Sequence, residues 1–140
     1  MPLEGSCLCG SVQVSVSDSA LPLTTAICRC TNCQQTAGSM YSLVSIVEQS
    51  QLTITGETKI YNDTTPDSGN TTQRYFCPAC GSPIQTVGPS RPGKTVVKCG
   101  LFAKSLNKQF PKPAIEIFDK NTNAWESHVD GSKTFETRAQ

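Results

Sequence analysis

The chain has 140 residues, which is enough to bury a hydrophobic core, so a single domain spanning residues 1–140 is expected. Twelve basic and eleven acidic side chains give a net charge of +1, without a run of like charge suited to phosphate backbones or lipid head groups. Nucleic acid and membranes are therefore not expected as partners.

The amino terminus and the cysteine content predict the compartment. Residues 1–7 lack the basic and apolar regions of a secretory signal, and no apolar window reaches the length of a membrane-spanning helix. This predicts a cytoplasmic location, where thiols are kept reduced. The eight cysteines are accordingly expected to bind metal, with disulfide pairing as the alternative.

The first cysteine pair, Cys7 and Cys9, comes just before the clearest strand signal. Residues 11–17 alternate between polar and valine side chains, which places Val12, Val14 and Val16 on one buried face of a β-strand. Residues i and i+2 of an extended chain project from the same face. Cys7 and Cys9 are therefore expected to reach a common ion from an extended segment.

The second cysteine group is Cys28, Cys30 and Cys33, which offers three ligands where zinc prefers four. If Cys99 or His128 supplies the fourth ligand, the site is closed and structural. If water or substrate supplies it, the site is open and suited to catalysis, and the spacing leaves both readings open. Cys99 itself is expected in the core and His128 at the surface.

Further strands are predicted from short stretches rich in β-branched and aromatic residues, at 41–47, 52–55, 59–62, 73–76, 95–98 and 115–118. Segments 62–72 and 87–94 are polar and predict turns. Nine prolines, ten glycines and the lack of a 3.6-residue apolar period predict very little helix. The whole pattern predicts an all-β meander of antiparallel sheets, with Tyr41 and Trp125 among the aromatic core residues.

The last cysteine pair, Cys77 and Cys80, is followed by Gly81, a pattern typical of a zinc knuckle in which a sharp turn aims both sulfurs at one point. Together with Cys7 and Cys9 this pair completes a four-thiolate structural zinc site. With the Cys28 group as a second site, two zinc ions per chain are expected.

The three-cysteine group has a chemical consequence if it is open. Three thiolates give the metal complex a formal charge of about −1, which weakens its Lewis acidity and favours a soft sulfur ligand. Arg29, between two ligands, could lower a thiolate pKa or meet a substrate carboxylate, or could be an exposed strand residue. Gln34 could line the pocket or only satisfy backbone groups.

The ordered cysteine groups resemble those of the glutathione-dependent formaldehyde-activating enzymes, a domain shared with centromere protein V. The resemblance rests on three segments: Cys-Leu-Cys-Gly at 7–10, Cys-Arg-Cys-Thr-Asn-Cys at 28–33, and the stretch around the knuckle at 74–83. The resemblance implies a β-tent fold of stacked short antiparallel sheets. It also implies a structural zinc site and a catalytic one, formed respectively by Cys7, Cys9, Cys77 and Cys80, and by Cys28, Cys30 and Cys33.

The resemblance further implies an activity, the reversible joining of formaldehyde to glutathione, which is carbon–sulfur lyase chemistry. The sequence also departs from the family pattern. Arg29 and Glu116 both stand where relatives often have His, and Gln34 and Gln35 replace a commonly basic pair.

The predicted function is a zinc-dependent carbon–sulfur lyase acting on a glutathione adduct or related thiol conjugate. One alternative is a lyase, dehydratase or isomerase on a small carbonyl metabolite, and another is a non-catalytic, zinc-stabilised binding module with both sites closed. The predicted catalytic residues are Cys28, Cys30, Cys33, Arg29 and Gln34.

Overall fold

The computed structural model describes residues 1–66 and 68–138. Short strands dominate, and the two α-helices of the described ranges are brief, α1 at Thr31–Ala37 and α2 at Ala103–Leu106. Single turns of 3-10 helix occur at Asp18–Ala20, Gln49–Gln51, Cys99–Phe102 and Asp119–Asn121. The strands are β1 Leu3–Ser6, β2 Gln13–Val16, β3 Thr25–Cys28, β4 Ser42–Glu48, β5 Leu52–Thr55, β6 Lys59–Asp63, β7 Thr72–Phe76, β8 Pro83–Val87, β9 Lys94–Lys98, β10 Ile115–Ile117 and β11 Lys133–Thr134.

The strands form two sheets. The smaller has the order β1-β2-β5, and the larger has the order β11-β10-β3-β4-β9-β8-β7-β6. The predicted all-β class with stacked sheets and little helix is confirmed. The pairs of β10 with β3 and with β11 are parallel, unlike the antiparallel remainder, because the C-terminal segment returns along the free edge of β3.

The hydrophobic core lies between the two sheets. Val12, Val14 and Val16 are at most 1% exposed and pack with side chains from the larger sheet, including Val97 and Ile84. The alternation at residues 11–17 therefore predicted the buried face correctly. Since Cys7 and Cys77 belong to the same core cluster, the first cysteine group lies against this core.

Every strand predicted from composition has a counterpart in the structure, with bounds that differ by a residue or two. The turns predicted at 62–72 and 87–94 separate β6 from β7 and β8 from β9, although Asp67 lies outside the described residues. Strands β1, β3, β8 and β11 were not predicted. Two of them border the cysteine groups, where β3 ends at Cys28 and β1 ends at Ser6, next to Cys7.

Two aromatic side chains expected in the core are at the surface. Trp125 is 74% exposed, and Tyr41 is 40% exposed with the Arg29 guanidinium 5.9 Å from its ring centroid. A cation near the ring face stabilises an aromatic group that is not buried. Phe102, by contrast, is fully buried in the core.

None of the helices in the described residues is long and apolar enough to span a lipid bilayer. All eight cysteines are free thiols, so the disulfide alternative has no support in the structure.

Candidate metal centres and the adjoining cavity

The first cysteine group is assembled by two separate turns. One joins β1 to β2 and carries Cys7 and Cys9, and the other joins β7 to β8 and carries Cys77 and Cys80. The four Sγ atoms all lie within 4.8 Å of one another. The pairing predicted from spacing is thus the one that the fold brings together.

The expectation that Cys7 and Cys9 sit on an extended segment is wrong. The segment is a tight turn, closed by hydrogen bonds from the Gly10 N–H to the Cys7 carbonyl and from the Cys7 N–H to the Val12 carbonyl. A turn also aims backbone amides inward, and the Val12 N–H donates to Cys7 Sγ at 3.3 Å. Such donors stabilise a thiolate.

The knuckle at Cys77 has the predicted sharp turn. The Gly81 N–H donates to the Cys77 carbonyl at 2.8 Å, and Gly81 has φ of +79°, a conformation that glycine adopts without strain. The Cys77 N–H donates to the Ser82 carbonyl, which closes the turn from the other side. Both sulfurs therefore face the loop that carries Cys9.

The four-cysteine geometry fits a tetrahedral metal. With Zn–S bonds of about 2.3 Å, the sulfur–sulfur edge of a tetrahedron is about 3.8 Å. Cys9 Sγ lies 3.6 Å from Cys7 Sγ and 3.8 Å from Cys77 Sγ. The donor set and these edges fit a structural metal site with zinc-like coordination.

The second cysteine group forms where β3 passes into α1. Cys28 ends β3, Cys30 is the residue that caps α1, and Cys33 lies in the first turn of the helix. The Cys33 N–H donates to Cys30 Sγ at 3.2 Å, and the helix ends at Gly38 in the left-handed conformation. The three Sγ atoms lie within 4.8 Å of one another, so they too could hold a metal ion.

These three thiols change one another's acidity. The neighbouring Cys30 and Cys33 thiols, with burial, raise the pKa of Cys28 far above its ordinary value. Hydrogen bonds from Cys28 and Cys30 lower the pKa of Cys33, and the positive charges of Lys98 and Arg74 lower it further. Three sulfurs this close carry negative charge together only when a cation offsets their repulsion.

The two groups differ in completeness. Four sulfurs surround the first position, whereas among residues 1–66 and 68–138 no further Cys, His, Asp or Glu joins Cys28, Cys30 and Cys33. Cys99 is fully buried in the core as predicted, and burial raises its pKa to about 12. His128 belongs to neither group, and its side chain is 43% exposed.

A cavity of about 280 Å³ adjoins the three-cysteine group. Its floor is one face of the larger sheet, where Ala26, Val44, Ile46, Val96 and Ile115 form an apolar surface. The cysteine sulfurs stand at one side of this floor. A ligand in the cavity would therefore meet the three-cysteine group directly.

Arg29 is neither an exposed strand residue nor a group that faces the cavity. Its guanidinium is 2% exposed and lies 2.8 Å from Glu116 Oε1 and 3.1 Å from Glu126 Oε1. Burial opposes the charge, but the two carboxylates outweigh it and raise the pKa of Arg29. Arg29 is absent from the described lining of the cavity, so its positive charge is directed into the protein and away from a bound ligand.

Glu116 is the centre of this buried network. It is fully buried and accepts hydrogen bonds from Arg29, the Val129 N–H, Ser132 Oγ and His128 Nδ1. Burial alone raises the pKa of Glu116, but these donors outweigh it and lower that pKa to about 2. The network ties the residues beside the ligands to the C-terminal segment.

Gln34 also acts on the backbone of the cysteine loop. Its Nε2 donates to the Arg29 carbonyl at 2.9 Å, and Asn121 Nδ2 donates to the same oxygen at 2.9 Å. The Arg29 N–H donates to the Ile117 carbonyl. The peptide groups between Cys28 and Cys30 are therefore held from three directions.

A second network, centred on the buried Asp63, adjoins the three-cysteine group through Asn32 and was not predicted. Asp63 Oδ2 accepts from Arg74 Nε at 2.7 Å and from Asn32 Nδ2 at 2.9 Å. Burial raises the pKa of Asp63, but hydrogen bonds from Thr65, Asn32 and Arg74 outweigh it and hold that pKa well below its usual range. The only sequence signal was a carboxylate at the end of a strand, which does not reveal its partners.

Comparison with known proteins places the chain in a family. The family model for glutathione-dependent formaldehyde-activating enzyme matches residues 2–121. A Halomonas elongata protein named "Putative glutathione-dependent formaldehyde-activating enzyme" is 30% identical over 130 residues, covering 89% of this chain and 80% of that protein. The chain belongs to the glutathione-dependent formaldehyde-activating enzyme family, as its cysteine groups indicated.

A crystal structure of a Rhodobacter sphaeroides protein shares the fold. The TM-score is 0.56 at 19% sequence identity, and the match covers 72% of this chain and 88% of that one. At this identity the similarity concerns the fold alone.

Proposed function

We propose that this protein is a zinc-dependent carbon–sulfur lyase acting on a glutathione adduct or related thiol conjugate. In this proposal Cys7, Cys9, Cys77 and Cys80 hold a structural zinc, and Cys28, Cys30 and Cys33 hold a catalytic one. The catalytic zinc would supply a Lewis acid that stabilises the substrate sulfur as a thiolate.

One observation carries the proposal: the three-cysteine group faces a cavity and gains no fourth ligand from the described residues. A zinc site with three protein ligands and an accessible fourth position is typical of catalysis. A binding module with both sites closed requires a fourth protein ligand there. The described part of the chain offers none, which counts against that alternative.

The charge of the cavity supports an anionic substrate. Its described lining contains no aspartate or glutamate, while five cationic side chains reach it. Glutathione and its conjugates carry carboxylates, which such side chains bind through charge-assisted hydrogen bonds. The five cationic residues are Arg74, Arg91, Lys98, Lys120 and Arg138.

The reaction itself breaks or forms one bond to sulfur. In the cleavage of S-(hydroxymethyl)glutathione the C–S electron pair goes to sulfur. The O–H electron pair forms the carbonyl of formaldehyde, and the proton passes to solvent. The apolar floor limits water around the sulfur, which strengthens every electrostatic interaction there.

Arg29 and Gln34 are assigned positioning roles in this proposal. Both were predicted as catalytic residues, but Gln34 donates to the backbone between two ligands, and the Arg29 guanidinium contacts the carboxylates of Glu116 and Glu126. Hydrogen bonds that hold the backbone beside a metal ligand also fix the direction of the ligand's sulfur. They act through Cys28 and Cys30.

We also propose that the protein works in a reducing compartment such as the cytoplasm. All eight cysteines are free, and seven of them lie in two dense groups. Metal binding requires these sulfurs as thiolates, whereas oxidation would join neighbouring sulfurs in disulfides. A reducing compartment therefore suits this protein.

The test is turnover of S-(hydroxymethyl)glutathione and a panel of other S-substituted glutathiones by protein loaded with two zinc ions. We expect turnover by the wild type and loss of turnover in C28S, with C99S as the matched control that keeps activity. A zinc-replete wild type that is inactive on the whole panel would refute the proposal. Oxygen rather than sulfur of a bound substrate at the metal would favour carbonyl chemistry instead.

A further inference from the structure

Three hydrogen-bond donors line one side of the cavity floor. Arg74 on β7 lies directly opposite Thr86 on β8, and Thr86 lies opposite Val96 on β9. Lys98 is two residues beyond Val96, so its side chain leaves the same face of the sheet. All three side chains reach the cavity.

These donors have unused hydrogen-bonding capacity within the described residues. Lys98 is 8% exposed and makes no hydrogen bond or ion pair with them. Thr86 Oγ1 is the one buried side-chain oxygen or nitrogen in the described ranges without a hydrogen-bond partner. Arg74 donates from Nε to Asp63, and this bond does not use the N–H groups of its two terminal nitrogens.

Such an arrangement is costly unless a ligand completes it. A buried polar group without a partner, such as the Thr86 hydroxyl, is destabilising, while the Lys98 ammonium reaches the cavity and keeps its donors free for a ligand there. Arg74 is held in place by its ion pair with Asp63, a short charge-assisted hydrogen bond of 2.7 Å. The free donors of Arg74, Thr86 and Lys98 together suit an acceptor with negative charge and more than one oxygen.

The position of the donors relates this acceptor to the three-cysteine group. Lys98 lies opposite Val44 on β4, which lies opposite Ala26, two residues before Cys28. Lys98 is thus two strand spacings, about 10 Å, from the strand that carries Cys28, a gap that its long side chain partly spans. A small ligand with its sulfur at the cysteines would place neighbouring atoms beside Lys98.

We propose that Arg74, Thr86 and Lys98 form a subsite for a carboxylate carried by the thiol ligand, a few bonds from its sulfur. The inference rests on the proposed function only in placing the ligand sulfur at Cys28, Cys30 and Cys33. The arginine and lysine supply charge and the threonine hydroxyl supplies a further donor. A thiol without a carboxylate at this distance leaves the Thr86 hydroxyl, the Lys98 ammonium and the terminal nitrogens of Arg74 without this acceptor.

The test compares two thiols of equal length, mercaptoacetate and 2-mercaptoethanol, by calorimetric titration of the zinc-loaded protein. Charge-assisted hydrogen bonds of this kind predict that the wild type binds mercaptoacetate about 10- to 100-fold more tightly. K98M and T86V should lose most of this preference while their affinity for 2-mercaptoethanol stays within about threefold. K104M, the same change at an exposed lysine, is the matched control and keeps the preference.

The outcomes decide the proposal in both directions. Equal affinity of the wild type for both thiols, or binding of neither, overturns it. A preference that survives in K98M overturns it as well, and T86V decides if K98M does not reach the wild-type zinc content and Tm. Because the assay measures equilibrium binding, it is independent of turnover. A protein inactive on S-substituted glutathiones can still show the preference, and an active one can lack it.

Discussion

The guanidinium of Arg29 lies 2.8 Å from the carboxylate of Glu116, and both side chains are at most 2% exposed. Arg29 stands between two cysteines of the three-cysteine group, and Glu116 lies on the strand β10 that pairs with β3. At both positions the family resemblance had implied a departure from a frequent His. The two departures therefore contact each other and form one buried ion pair.

Breaking this ion pair should cost stability. E116Q leaves the Arg29 charge buried with only Glu126 beside it, and loss of a partner from a buried pair typically costs about 3–5 kcal/mol. Urea unfolding of the zinc-loaded protein measures the free energy. The control is E48Q, because the Glu48–Lys94 pair is about half exposed and a change there is expected within about 0.5 kcal/mol. Equal effects of both substitutions would contradict the role of the network.

The stability that Glu116 contributes should depend on pH. Its folded pKa of about 2 lies below the ordinary value of 4.5, so the carboxylate form is favoured by folding. Its contribution is then fully present above about pH 4.5 and is lost as the pH falls through about 2. The difference in unfolding free energy between wild type and E116Q should shrink between pH 5 and pH 3. A difference that stays constant over this range would argue against the lowered pKa of Glu116.

The two cysteine groups should give different mutant phenotypes. C80S removes a ligand from a site that ties two turns to the core, so we expect loss of the cooperative fold. C30S should keep a folded protein with one zinc in place of two, and no lyase turnover. Circular dichroism and metal analysis measure both, with C99S retaining two zinc ions. Equal unfolding by C80S and C30S would contradict this division of roles.

Asp63 should hold the three-cysteine group through Asn32, which lies between Cys30 and Cys33 in sequence. D63N weakens the bonds from Asn32 and Arg74, and changes of this kind at metal sites typically cost 10- to 100-fold in metal affinity. Competition with a chromophoric chelator should show that loss for one zinc only. D18N, a surface aspartate paired with the amino terminus, is the matched control. Unchanged affinity in D63N would show that Asn32 is held without it.

The sequence alone predicted much of this protein because its strongest signals are local. Alternation at Val12, Val14 and Val16 reports burial of one strand face, and the close spacing of cysteines reports a metal site. These patterns were sufficient for the all-β class, for most strands and for the membership of both cysteine groups. They also showed that the second group has one ligand fewer than zinc prefers.

Other features depend on which distant residues meet, and only the tertiary structure decided them. Arg29 and Glu116 are far apart in sequence and come together because β10 pairs in parallel with β3, which no local pattern specifies. The same holds for the line of Arg74, Thr86 and Lys98, which exists only through the register of three neighbouring strands. The sequence does not show which residue a charged side chain will pair with in the fold. Whether such a side chain faces a ligand or a buried carboxylate is fixed by the packing of the whole sheet.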